Sequence, residues 1–229
     1  LLSHIAKRTR PDIRVIYNDF DNYERRINNI GRTNALLAEI RPLLASVADN
    51  KRLPDGIRAT VLEIVRKHSK SGFVDYITLS SSLLFSGKVA TNYEQLAKHT
   101  MHNVIRRNNY NATGYLDGLE ITHEDYKALF ARFKDRKNVL FLLDPPYLST
   151  EVGMYNCYWK LGDYLEVLKL LQGTKYIYFT SDKSQVIEFC RWLHENPLVS
   201  DSFKGAEIMR RENRMYNIRY SDIMAVKLA

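Results

Sequence analysis

Residues 138–150 read NVLFLLDPPYLST, an apolar run that ends in Asp144, Pro145, Pro146 and Tyr147. Two consecutive prolines fix φ and supply no N–H, so the main chain offers only carbonyl oxygens at this point. Asp144 adds a carboxylate, and Tyr147 adds a flat aromatic face. Such a turn suits a planar ring carrying a group that donates two hydrogens, and the exocyclic amine of a nucleobase fits. That amine is a poor nucleophile because its lone pair is delocalised into the ring. Hydrogen bonds from both N–H groups to a carboxylate and a carbonyl favour a more tetrahedral nitrogen, whose lone pair can attack an electrophile placed opposite. A base inside a stacked duplex is out of reach, so it must be extruded, and stacking on an aromatic ring at roughly 1–3 kcal/mol helps offset that cost. The plainer alternative is an ordinary Asp-Pro turn. The complete four-residue string, however, arises by chance in a chain of this length with odds on the order of one in a thousand.

The elements around this turn follow from periodicity. LLSHIAKRTRP has Leu1, Leu2, Ile5 and Ala6 at helical spacing before a proline stop. IRVIYNDFD predicts a strand over Ile13 to Tyr17, with Asn18 and Asp19 at its carboxyl edge. A helix through NYERRINNI follows, and Gly31 is expected to close it. From Asn34 to about Asn109 the pattern is helical: NALLAEIRPLLASVA, then PDGIRATVLEIVRKHS, then NYEQLAKHTMHNVIRR. A block this long between two strands exceeds the usual crossover helix, so residues 32–111 are read as an inserted helical subdomain. Residues 1–31 and 112–229 then form the catalytic domain. In it GYLDGLEIT gives a strand ending near His123, EDYKALFARF a helix, NVLFLLD a strand, LGDYLEVLKLLQ a helix, KYIYFTSD a strand and KSQVIEFCRWLHE a helix. AEIMRR and YSDIMAVKLA close the chain as two strands with no helix between them. The expectation is an α/β fold with a mainly parallel sheet and an antiparallel edge hairpin, and in a parallel sheet ligands bind at the carboxyl ends of the strands.

Composition bounds the rest. The 229 residues are 45% hydrophobic and 26% charged, near the average of soluble globular proteins, and no apolar run is long enough to span a bilayer. Cys157 and Cys190 are too few for a disulfide framework or a four-cysteine zinc site, and no His or Cys spacing points to a metal. The sequence reading is a cytoplasmic protein with neither membrane nor metal partner. A net charge of +8 suits a polyanionic partner, and 15 Tyr with 9 Phe supply faces for base stacking, although most serve a core.

DPPY after an apolar strand resembles the catalytic motif of the Dam-like class of adenine-N6 DNA methyltransferases, and the similarity runs along most of the chain. The resemblance implies a Rossmann-like methyltransferase fold, S-adenosyl-L-methionine as methyl donor, double-stranded DNA as partner and a flipped adenine as target, as in restriction-modification systems. Asp144, Pro145, Pro146 and Tyr147 would be catalytic. YNDFD is similar to the segment that ends the second strand of these enzymes, which implies that Asp19 accepts from the donor's ribose hydroxyls and Phe20 packs on its adenine. EITHEDYKALF implies that Asp125 and Tyr126 line the adenine pocket. Ser181, Asp182, Tyr216 and Asn217 match later family segments more loosely. Asp19 and Asp125 are also placed to cap the helices that follow them, and Ser181 and Asp182 to form an N-cap pair. Cys157 and Trp159 read as packing residues, with YNCYW as a wall of the base pocket the other possibility.

The family's Gly-rich turn, Phe-x-Gly-x-Gly, has no counterpart here. LLSHIAK looks like the helix that follows it, so the chain is expected to begin just downstream and to bind the methyl donor weakly. The insert occupies the place of the family's target-recognition region, where Lys88, Arg106, Arg107 and Asn108 are candidates for contact with phosphates and base edges. Two other readings stay open: the same chemistry on RNA, and a DNA-binding module that has lost its catalysis.

Overall fold

The proline stop and the β-branched run after it separate α1 (Leu2–Thr9) from β1 (Val15–Asn18). The computed structural model describes residues 2–85, 87–146, 160–182, 184, 186–196, 202–215 and 218–228. Tyr147, Cys157, Trp159, Tyr216 and Asn217 lie outside these residues. The chain divides into two compact units, Ser3–His123 and Glu124–Ala229.

In the first unit β1 pairs in parallel with β2 (Leu119–Thr122), with Val15 opposite Leu119 and Asn18 opposite Thr122. Both strands therefore end at the same edge. Between them run α2 (Tyr23–Asn28), α3 (Ile30–Leu44), α4 (Asp55–Ser71), α5 (Tyr76–Leu83) and α6 (Tyr93–Lys98). Leu36, Leu37, Ile40 and Leu44 form the buried stripe of α3 and pack with Val61, Val65, Leu79, Leu83, Leu96 and Met101. This is the 3.6-residue pattern turned into a mainly helical core.

Three boundaries differ from the sequence expectation. Gly31 does not close α2; it sits in the first turn of α3. The break falls at Asn29, whose side-chain amide donates to the Arg25 carbonyl at 2.8 Å and so competes with the helical ladder. YITLSSSL is an additional helix, started by Asp75, whose carboxylate accepts from Thr78 N. The last predicted helix stops at Lys98 instead of running to Arg107. Beyond it Met101 and His102 make isolated antiparallel bridges with Leu84 and Arg52, so main-chain pairing takes the place of helix there.

In the second unit α7 (Tyr126–Phe133) precedes β3 (Phe141–Leu143), and α8 (Leu161–Leu171) leads to β4 (Tyr176–Ser181). After α9 (Val186–Glu195) come β5 (Glu207–Met215) and β6 (Ile218–Lys227). The sheet order is β3-β4-β6-β5. β3 and β4 are parallel, while β6 runs antiparallel to both β4 and β5, as an edge hairpin does. Tyr176, Tyr178 and Ala225 from the sheet pack with Phe130 of α7 and with Tyr164, Val167, Leu168 and Leu171 of α8. The architecture is mixed α/β, with parallel pairing at β1-β2 and β3-β4 and antiparallel pairing at the hairpin.

Candidate active site

β3 delivers the acidic turn. Phe141 and Leu143 pair with Tyr176 and Tyr178 of β4, and Asp144 follows the last paired residue. Its side chain stands at the carboxyl end of two parallel strands, where α/β sheets present ligand groups. Pro145 is buried, Pro146 is half-buried and Asp144 is exposed, so the prolines anchor the turn and the acid faces outward. Among the described residues no donor engages the Asp144 carboxylate. Although the residue is exposed, enough protein surrounds its carboxyl for burial to raise the pKa above the usual carboxylate value, and the nearby Asp222 raises it further. Asp222 is itself held by the Asn213 side-chain amide at 2.6 Å.

A second device sets the turn. Tyr164 of α8, 2% exposed, donates its hydroxyl to the Pro146 carbonyl. Burial, with Asp163 adding, pushes its phenol up to about 12, so the hydroxyl stays protonated and remains a donor at any physiological pH. Asp163 also accepts from Lys160 N at 2.8 Å and so fixes the start of the helix that carries Tyr164. Tyr164→Phe is expected to lower the turnover of the methyl transfer proposed below by about tenfold to a hundredfold, because a small misplacement of a reacting group is costly. Affinity for the methyl donor should stay as in the parent; a turnover within twofold of the parent would show that the turn does not depend on this bond. Asp222→Asn makes a second test. Removing the neighbouring negative charge lowers the Asp144 pKa, so the acid limb of the pH–rate profile should move to lower pH, and an unmoved limb would exclude the coupling.

Asp182 stands just past the end of β4. It accepts from Ser221 N at 2.9 Å and donates its own N–H to the Ser221 carbonyl at 3.1 Å, tying the end of β4 to β6, beside the fully buried Ser181. Asp125 is the N-cap of α7, with its carboxylate accepting from Lys127 N at 2.7 Å; Tyr126, half-buried, opens that helix.

In the first unit the strand-end acid is Asp19, 1% exposed. Its carboxylate accepts from the Tyr17 hydroxyl at 3.0 Å, Tyr23 N at 2.7 Å and Glu24 N at 2.8 Å. The two main-chain bonds hold the start of α2, and the three together take three of the roughly four acceptor positions of a carboxylate. Burial, and then the hydrogen bond to Asp19, push the Tyr17 phenol upward. Phe20 beside it is 64% exposed. His123 donates Nδ1–H to the Asp19 carbonyl at 2.9 Å and presents Nε2 to Glu24 at 3.5 Å. Asp19, Glu24 and His123 thus bring ligand-type atoms within 4.8 Å of one another, yet each has a protein partner that accounts for its position.

The basic candidates lie elsewhere in the same unit. Arg106, Arg107 and Asn108 are consecutive and exposed, and Lys88 is exposed on the loop after α5. Arg41 of α3 ties this segment down, donating to the Arg106 carbonyl at 3.0 Å, the Asn108 carbonyl at 3.1 Å and Asn109 Oδ1 at 2.7 Å. Asn34 grips the Tyr110 main chain with two bonds of 2.9 Å. The Arg106 guanidinium lies 4.8 Å from the centroid of the Tyr110 ring, and Arg107 pairs with Asp49 at 3.0 Å. Arg41, Asn34, Tyr164 and Asp222 escape sequence reasoning, since each acts on residues far away along the chain.

No family model matches the chain. A protein of Haemophilus influenzae strain Rd, named "Putative methyltransferase", is 36% identical over 215 residues, which cover 92% of this chain and 71% of that protein. Identity at that level, spread over nearly all of the chain, carries the shared fold and the shared class of reaction together. The chain belongs to this family of methyltransferases.

Proposed function

We propose that this methyltransferase moves a methyl group from S-adenosyl-L-methionine to the N6 amine of an adenine flipped out of double-stranded DNA. The observation that carries the reading is the Asp144-Pro145-Pro146 turn at the carboxyl end of β3, with a carboxylate that no described donor engages. Asp144 and the Pro145 carbonyl accept the two amine hydrogens, and Tyr147 provides the stacking face. As the amine nitrogen bonds to the methyl carbon, the bond from that carbon to the donor's sulfur breaks. The methylated amine is acidic and loses its proton to Asp144 or to water, so no strong base is required. The rate gain then comes from positioning and from hydrogen bonds aimed at the reacting nitrogen.

The donor's adenosine is assigned to Asp19 and Phe20 of the first unit. Phe20 supports this with an open aromatic face, and Asp19 with the one acceptor position that its three hydrogen bonds leave over. The donor supplies an activated methyl group; these side chains bind and orient it. Residues 32–111 serve as the target-recognition insert, with Lys88, Arg106, Arg107 and Asn108 toward the DNA, and Arg41 and Asn34 holding their segment in shape.

The test is transfer of labelled methyl from S-adenosyl-L-methionine to unmethylated duplex DNA, duplex RNA and a protein mixture, followed by nuclease digestion. The expected product is N6-methyladenine in DNA alone. Label in RNA would move the reading to an RNA enzyme, and label in neither nucleic acid would end it.

A further inference from the structure

β5 closes the sheet of the second unit at one edge. The order β3-β4-β6-β5 leaves its outer main-chain groups without a strand partner among the described residues. An edge strand that avoids pairing is short, holds a proline or carries charges that repel an incoming strand. β5 runs nine residues, EIMRRENRM, with no proline and with charges of both signs. Ile208 is 47% exposed and Met209 43%. Successive residues face opposite sides of a sheet, so an apolar side chain stands open on each face beside this edge.

The charges on β5 complement the same strand turned round. A two-fold axis through one residue of an antiparallel pair sets the residue before it opposite the residue after it on the partner strand. With the axis at Arg211, the middle of β5, all nine residues pair, and Arg210 of each strand faces Glu212 of the other. Across the existing sheet these two have uncharged neighbours, Ile223 and Ser221, and neither has an ion-pair partner among the described residues. Arg211 meets its own copy on the axis, but each Arg211 stands opposite Asp222 of β6, so two carboxylates flank the two guanidinium groups.

We propose that β5 is a self-pairing edge, at which a second copy of this chain extends the sheet antiparallel across a two-fold axis at Arg211. Main-chain hydrogen bonds supply the association. The two pairs of Arg210 with Glu212 set the register, since opposite charges directly across a ladder attract and like charges repel. Strand direction then places the acidic turns. β3 runs parallel to β4, and β6 runs antiparallel to both β4 and β5, so β5 points the same way as β3. The second copy is reversed, and the two Asp144 turns open at opposite ends of the joined sheet. The inference is independent of the substrate proposed above.

Sedimentation of the full chain across the micromolar range, without DNA, reads the association. The parent is expected to pass from the mass of one chain to that of two as concentration rises. Arg210→Glu and Glu212→Arg each replace two attractive pairs with two repulsive ones, and each should weaken dimerisation about tenfold or more. The double variant, Arg210→Glu with Glu212→Arg, restores opposite charges and should return to within about threefold of the parent. The thermal midpoint of dilute protein, where the chain is a single copy, should be the same in all four, which separates lost association from lost folding. A parent that stays one chain at every concentration overturns the proposal and leaves this edge to a strand of another protein. Dimers that the single variants leave untouched, or that the double variant does not restore, overturn the pairing through β5.

Discussion

Asp144→Ala is expected to lower methyl transfer to duplex DNA by about a thousandfold, with DNA affinity within about twofold of the parent. The size follows from losing a charged acceptor aimed at a group whose charge develops only in the transition state, which in other enzymes costs a hundredfold to a thousandfold for one hydrogen-bonding partner. Asp144→Asn should fall between, since it keeps one acceptor oxygen and loses the charge. Stability should move the other way. Burial and Asp222 raise the folded-state pKa of Asp144 above its ordinary value of 3.8, so the folded protein disfavours the carboxylate form. The sign is then fixed: stability contributed by this group rises as pH falls through the folded pKa, and at neutral pH the ionised side chain subtracts from it. Asp144→Asn should therefore melt at or above the parent temperature near pH 7, with the difference shrinking toward pH 4. Thermal scans across that range alongside rate measurements check both halves. A variant that is inactive and also less stable at neutral pH would mean that Asp144 supports the fold rather than the reaction.

The acidic turn was legible because its chemistry is local: four adjacent residues at the end of an apolar strand. The helical stripe of α3 and the closing hairpin were legible for the same reason, as periods of 3.6 and 2 written into consecutive residues. What failed was competition between nearby groups. Asn29 ends α2 by back-bonding to Arg25, and nothing in NYERRINNI distinguishes it from an asparagine that merely points to solvent. The extended stretch after Lys98 carries enough apolar residues for a helix, and it is the long-range bridges to Leu84 and Arg52 that decide against one.

Asp19 and Asp125 show where a motif leaves two roles unresolved. Both stand before helices and both accept from helix N–H groups, so the cap is the role that the geometry displays. A cap acceptor does not exclude a ligand, because a carboxylate has more acceptor positions than one helix start consumes. The partners that set the candidate site are distant in sequence. Tyr164 reaches Pro146 across 18 residues, and Arg41 reaches the Arg106 carbonyl across 65. Such contacts leave no local pattern, whatever their importance to the site.

The largest stability effect is expected at Asp75, 6% exposed, in the first unit. Its carboxylate accepts from Arg26 Nε at 3.1 Å, from Thr78 N at 3.0 Å and from the Thr78 hydroxyl at 2.6 Å. One side chain thus caps α5 and ties it to α2, the helix whose start is held by Asp19. Arg26, with its side chain 27% exposed, also lies over the Tyr23 ring at 5.2 Å. Asp75→Ala removes the cap and leaves the guanidinium half-buried without its counter-charge, for which roughly 3–5 kcal/mol is the usual cost of breaking a buried pair. For a unit of this size that corresponds to a fall in melting temperature on the order of 10 °C. Arg26→Ala should cost less, because Asp75 keeps both Thr78 donors. If α2 transmits the disturbance, Asp75→Ala should also weaken S-adenosyl-L-methionine affinity at temperatures where the fold persists, whereas a variant that caps α5 without the charge, Asp75→Asn, should recover part of the stability and less of the affinity. Calorimetric melting and donor titration on the three variants read both effects, and a midpoint within 2 °C of the parent in Asp75→Ala would show that the helices are held together by their apolar faces alone.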